Sequence, residues 1–345
     1  MSATSFPCSK RPVVLALSLA FVMPLAMAED ASETAQSVVI KSRKTDKLAE
    51  PSRSAGKIDT PLQDIPFSVN RFDARQLQDL GARMTTDVSH FDASVSDAYN
   101  AVGYAEQFSI RGFALDNNSS YRKDGFTIPA DASIPLENKE AVEILKGVAG
   151  FQSGMTTPGG YINYVVKRPL TSPLRTLNLE LSERGTRYAA VDVSEQLAGT
   201  PLAIRLNAAA EQMRSVIRGA NGNREFFSAA VDLKTGSNGL FRADFDYQHK
   251  SQLTAPGFQL WNGTDLPRGI SADMMLNVQP WAKPVDTKSM NLGLQYQYSL
   301  NSDWQIRTGA NLHRFQRDDY TAFPWGCTSG NLFPGYCANG DFDMY

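Results

Sequence analysis

From Pro173 onward, apolar and polar residues alternate with a period of two in block after block. Leu177, Leu179 and Leu181 interleave with Thr176, Asn178, Glu180 and Ser182, and Ala189, Val191 and Val193 with Asp192, Ser194 and Gln196. Leu202, Ile204 and Leu206 do so with Arg205 and Asn207; Phe227, Ala229, Val231 and Leu233 with Ser228, Asp232 and Lys234. Phe241, Ala243, Phe245 and Tyr247 alternate with Arg242, Asp244, Asp246 and Gln248, and Met290, Leu292, Leu294, Tyr296 and Tyr298 with Asn291, Gln295 and Gln297. Trp304, Ile306, Ala310 and Leu312 complete the series against Gln305, Arg307, Asn311 and His313. Side chains in a strand point to opposite faces in turn, so each block predicts a strand with one greasy and one wet face.

A soluble sandwich shows the same alternation, and the connections decide between the two. Linkers after the second, fourth and sixth blocks are short (Ala198 to Pro201, Thr235 to Gly239, Leu300 to Asp303), whereas those after the third and fifth are long, as is the one after the seventh. Short turns at one end and extended loops at the other are the arrangement of transmembrane barrels. Tyr296, Tyr298 and Trp304 flank one short turn, where an aromatic girdle belongs.

Residues 60–170 read differently. Ile65 to Val69 suits a strand, Asp73 caps a short helix carrying Leu77 and Leu80 that stops at Gly81, and further strands are expected near Phe108 to Gly112, Val142 to Lys146 and Gly160 to Lys167. Ahead of this domain, residues 29–59 are polar and basic without apolar period, apart from the β-prone island Ser37, Val38, Val39 and Ile40 within 36–41. The first 28 residues carry Lys10 and Arg11, an apolar run and the small-residue end Ala26, Met27, Ala28, which reads as a cleaved signal peptide.

Removing that leader takes the basic count from 34 to 32 against 36 acidic residues, a net charge of −4, so nucleic acid is a poor partner. Cys8 leaves with the leader. Cys327 and Cys337 remain close together in an exported chain, which favours a local disulfide over a metal site. His90, His249 and His313 are far apart, and no cluster has metal-ligand spacing. His313 near Asp318 and Asp319 is the sole hint of the acid–base pair that a barrel enzyme would need.

The blocks FSIRGF (Phe108 to Phe113), KDGF (Lys123 to Phe126), AVEILKGVAGFQSG (Ala141 to Gly154) and PGGYINYVVKRP (Pro158 to Pro169) resemble, in that order, the plug domain of TonB-dependent outer-membrane receptors, ferric-siderophore branch. The resemblance implies a mixed α+β plug followed by the first antiparallel strands of a transmembrane β-barrel, here residues 174–345. A barrel that holds such a plug has ~22 strands, and seven cannot close. The chain is therefore expected to be part of a longer receptor, with Tyr345 inside a loop.

The same resemblance implies transport, not catalysis, in the outer membrane of a Gram-negative bacterium. Its cargo would be a ferric siderophore that itself carries the iron, with no protein cofactor; cobalamin or haem would suit the same architecture. The partner would be TonB with its inner-membrane energy-coupling complex, engaged by the 36–41 segment as an added strand. Ligand would rest on the plug apex at Tyr99, Asn100, Tyr104, Asp116, Asn117, Asn118 and Tyr121, beneath barrel-loop aromatics Phe258, Trp261, Trp281 and Trp325. Arg111 and Lys146 stand where the family places basic residues that lock plug to barrel.

Overall fold

The computed structural model describes residues 51–52, 60–99, 101–147, 154–182, 184–255, 271–275, 277–278, 280–325 and 341–344. The leader, the 36–41 segment, Asn100, Phe258, Trp261, Cys327 and Cys337 lie outside them, as does the side chain of Trp325.

Pro51–Ser52 (β1) pairs with Thr60–Pro61 (β2). A 3-10 turn at Leu62–Asp64 then leads into Ser68–Asp73 (β3). The expected strand at Ile65 to Val69 thus begins later, because its place is set by pairing: Ser68 sits opposite Lys146 and Asp73 opposite Ala141. Asp73 closes a capping box with Gln76 at the start of Ala74–Asp79 (α1). Thr85–Ser89 (α2) follows, and Asp87 caps it by accepting from the Arg83 and Met84 amides at 2.9 and 3.0 Å.

Val95–Tyr99 (β4), Gln107–Ile110 (β5) and Phe113–Ala114 (β6) make a small three-stranded sheet. Tyr121–Lys123 (β7), Phe126–Thr127 (β8), Lys139–Lys146 (β9) and Gly160–Val166 (β10) join β3 in a five-stranded sheet of order β3-β9-β10-β7-β8, antiparallel except where β10 runs parallel to β7. The glycine motifs make its tight turns. Arg111 and Gly112 have φ of 53° and 82°, and Asp124 and Gly125 have 49° and 85°, so each pair forms the two-residue hairpin turn that needs positive φ at both centres. Phe72, Leu77, Val88, Phe108, Ile110, Tyr121, Val142, Ile144, Ile162 and Tyr164 form the core on one face of the large sheet; Ile65, Leu145 and Tyr161 form a smaller one.

Leu174–Leu181 (β11), Arg187–Gln196 (β12), Leu202–Met213 (β13), Gly222–Thr235 (β14), Gly239–Gln252 (β15), Val285–Ser299 (β16) and Gln305–Asp318 (β17) form one sheet in chain order, every neighbour antiparallel. These are the seven strands that the alternation predicts. Ala322–Trp325 (β18) and Asp341–Met344 (β19) pair separately. Burial in the wall is inverted. Val191, Leu206, Phe227, Leu292, Leu294, Ile306 and Leu312 are exposed, whereas Arg205, Asn207, Arg224, Asp244, Asp246, Gln248 and Asn291 are buried. A sheet with its apolar residues outside and its charges against a packed interior is built for lipid on the outer face. No described helix is long and apolar enough to cross a membrane.

Candidate ligand-binding apex and the plug–wall joint

Three loops of the first domain converge near the upper ends of β15 and β17. The loop after β4 is tied to the wall where Ala255 N and Thr254 Oγ1 both donate to the Val102 carbonyl, at 3.0 and 2.8 Å. Tyr99 and Tyr104 meet edge to face, ring centroids 6.3 Å apart at 87°. Burial, reinforced by the nearby charge of Asp319, pushes the Tyr99 hydroxyl up to about 12 and keeps it neutral. In the second loop, Asp116 Oδ1 accepts from Asn118 N at 3.0 Å and Ser119 Oγ at 2.9 Å, fixing a turn that leaves Asp116 and Asn118 exposed. Asn117 joins the second loop to the third: its carbonyl accepts from Ala130 N at 3.0 Å and its amide donates to Asp131 Oδ1 at 3.4 Å.

The expected binding residue Tyr121 does not belong to this surface. The loop ends at Ser120, and Tyr121 is the first residue of β7, paired with Ile162 and 0% exposed in the core. A one-residue shift of the strand boundary moves a side chain from one face to the other. Trp281, in the linker between β15 and β16, is exposed.

The expected lock residues Arg111 and Lys146 meet no wall partner among the described residues. Lys146 Nζ reaches Asp92 of the same domain at 2.8 Å. That contact and the Ser94 bonds outweigh burial, holding the Asp92 carboxyl below the usual range. Arg111, at its hairpin turn, is exposed and makes no ion pair among the described residues. Other residues make the joint. Lys123 Nζ lies 2.5 Å from Asp244 and 2.9 Å from Asp246 of β15. Arg168, in the connector to β11, bridges Asp124 of the first domain and Asp244 of the wall at 3.0 and 2.9 Å. Lys167 and Arg205 share Asp192 at 2.9 and 2.8 Å.

On the other side the polarity reverses. Arg224 of β14, 2% exposed, holds Glu137 at 2.5 Å and Glu211 at 3.0 Å. Glu211 also takes Arg83 at 2.7 Å, and the Arg83 guanidinium lies 4.2 Å over the Tyr188 ring. Burial would raise Glu137, but the Arg224 charge and its hydrogen bonds override that and hold the carboxyl low. Sequence alternation gave the lumen-facing acids; it carried no signal for their partners. His313 turns to Asn291, Nδ1 to Oδ1 2.7 Å, and Asn291 Nδ2 donates to Asp246 at 2.7 Å. It therefore joins the lumen network and forms no pair with Asp318 or Asp319. No group of three or more metal-binding side chains is clustered among the described residues.

Residues 61–161 match the TonB-dependent receptor plug domain. The ferrichrome outer membrane transporter/phage receptor of Escherichia coli K12 is 22% identical over 301 residues, 84% of this chain and 40% of that protein. The catecholate siderophore receptor Fiu of the same strain is 25% identical over 236 residues, 67% of this chain and 30% of that one. Among solved structures, the open form of Fiu from E. coli K12 superposes with a TM-score of 0.72 at 20% identity, covering 84% of this chain and 45% of that one. The ferric preacinetobactin receptor BauA of Acinetobacter baumannii gives 0.72 at 20% identity over 80% and 42%. The chain spans less than half the length of each. Residues 61–161 are thus a TonB-dependent receptor plug domain, seated against an inverted wall of antiparallel strands.

Proposed function

We propose that this chain forms the plug and the first wall strands of a TonB-dependent importer for ferric siderophores in the outer membrane of a Gram-negative bacterium, and that it performs no catalysis. The carrying observation is the wall's inversion around a plug clamped by Lys123, Arg168 and Glu137, with a half-buried aromatic and amide surface at the plug's apex. Tyr99 and Tyr104 offer planar amphipathic area to an organic chelate, and Asn117 and Asn118 offer adaptable hydrogen bonds. The cargo brings its own iron, held by the chelator. Relatives whose names specify ferrichrome and catecholate siderophores support a chelated-iron cargo.

Binding shifts a population and performs no work of its own. Energy would enter through TonB and its inner-membrane complex, pairing with Ser37 to Ile40 as an added strand. The test is growth of an iron-starved, receptor-deficient strain carrying the full-length receptor gene that includes this chain, supplied with purified ferric chelates. Rescue by ferric siderophores is expected; rescue confined to cobalamin under vitamin limitation would replace the cargo. Val39→Pro should abolish uptake and leave ligand binding intact, because Pro cannot donate to the added strand. Unchanged uptake would displace the coupling segment from 36–41.

A further inference from the structure

Arg317, near the upper end of β17, touches two apical loops at once. Its guanidinium lies 4.6 Å over the Tyr104 ring, and its Nη1 donates to the Asp131 carbonyl at 3.2 Å. Asp319 stands 3.8 Å from its Nε. Through Tyr104 the guanidinium braces Tyr99; through Asp131 it braces Asn117. One wall side chain thus orients both halves of the apex surface.

That grip is incomplete. A guanidinium has five N–H donors, and one of Arg317's is hydrogen-bonded to a described residue, that residue offering only a neutral carbonyl. The Asp319 contact is too long for a hydrogen bond. The side chain is 26% exposed, so solvent or a ligand reaches it. Charge-assisted bidentate bonds to an anion are roughly twice as strong as neutral ones, so an anionic oxygen-rich guest outcompetes the Asp131 carbonyl and meets only the loose Asp319 ion pair at 3.8 Å as a rival for the guanidinium.

We infer that Arg317 is a positioning residue for the apex, which trades Tyr104 and the Asp131 carbonyl for an anionic chelate and so frees both loops from the wall in one step. This rests on the importer reading and adds to it a sign of charge for the cargo and a trigger. Arg317→Lys keeps the charge but loses the planar fork and the stacking; Arg317→Gln loses both.

The experiment uses the protein in detergent with two probes, an anionic ferric tris-catecholate and a neutral ferric tris-hydroxamate, and reads binding by fluorescence titration together with amide exchange at 101–106 and 116–120. In the unsubstituted protein the anionic probe should speed exchange in both loops. Arg317→Gln should exchange fast without any probe, bind the anionic probe roughly 10–100-fold more weakly and bind the neutral one within about 2-fold of the original. Arg317→Lys should recover part of the affinity but not the slow exchange. Equal losses for both probes, or slow apical exchange in ligand-free Arg317→Gln, overturn the inference. Failure of the unsubstituted protein to bind either probe counts against the importer reading instead, and ligand-free exchange in Arg317→Gln then decides whether Arg317 holds the loops.

Discussion

Replacing Arg224 by Met should loosen the plug more than any other single change in the wall. The guanidinium is almost fully buried, with Glu137 at 2.5 Å and Glu211 at 3.0 Å, and Gln248 Oε1 accepts from it at 3.3 Å. Removing one partner of a buried pair costs ~3–5 kcal/mol, because the surviving charge keeps its desolvation penalty and loses its compensation. Glu211 retains Arg83 at 2.7 Å, whereas among the described side chains Glu137 retains the Tyr188 hydroxyl at 3.2 Å, so the loss falls chiefly on Glu137 and we expect ~4 kcal/mol. At roughly 2 °C per kcal/mol for a chain of this length, the unfolding midpoint in detergent should drop by about 8 °C. Adding Glu137→Leu should restore at least half of that, since replacing both members of a buried pair with apolar groups is near neutral. The pH dependence has a definite sign: Glu137 is held below its ordinary value, so its contribution is present above the unfolded value of about 4.3 and vanishes as pH falls through the lower folded one. The gap between parent and Arg224→Met should therefore close in acid. A loss under ~1 kcal/mol for the single variant, or a double variant as unstable as the sum of its parts, would show that Arg224 does not compensate Glu137.

Gly293 leaves the space that Asp244 occupies. A Cβ there would stand 2.6 and 2.9 Å from the Asp244 carboxylate oxygens, which Lys123 and Arg168 pin in place. Gly293→Ala should cost ~1–3 kcal/mol of thermal stability and expose the plug to limited proteolysis; a gain, as strand propensity alone would give, refutes that packing. Lys139 presents the opposite case, a buried ammonium with Asn138 Oδ1 as its hydrogen-bond acceptor and no carboxylate within ion-pair distance among the described residues. Burial lowers it to about 8, so the unfolded chain binds more protons between there and about 10.4, and stability rises with pH across that window. Lys139→Met should stabilise the protein at neutral pH by ~1–3 kcal/mol and flatten that rise; destabilisation, or an unchanged pH profile, would mean that the ammonium is compensated.

What could be read from the chain was whatever repeats locally. Seven strands and the Asp73 cap each declare themselves within a few residues, by period or by capping chemistry, whereas the strand expected over Phe108 to Gly112 stops at Ile110 because Arg111 and Gly112 turn the chain. What was missed depends on partners distant in sequence. Lys146 finds Asp92 54 residues away, and Arg224 finds Glu137 87 residues away, and no period relates such pairs. Tyr121 was misplaced by a single boundary residue, because a Tyr at the end of a polar loop and a Tyr at the start of a buried strand look alike until Ile162 is known to lie opposite.

The wall's alternation nonetheless constrains what can fill it. Facing its apolar side chains outward leaves Asp192, Asp244, Asp246, Arg205 and Arg224 pointing at the interior, and each is too costly to bury alone. Some of these charges pair within the wall, as Arg205 does with Asp192, and the plug presents the opposite sign to others, as Lys123 does to Asp244 and Asp246, and Glu137 to Arg224. A joint made this way differs in kind from an apolar core. Its pairs can exchange one another for water step by step, whereas an apolar contact of equal area loses its hydrophobic stabilisation whenever it opens, at about 25 cal/mol per Å². The proposed pull on the plug from one end is better served by the first kind, which requires the charges to matter more to holding the plug than to building it. Neutralising Lys123 or Glu137 should then alter plug docking while leaving the plug's own apolar core, from Phe72 to Tyr164, intact.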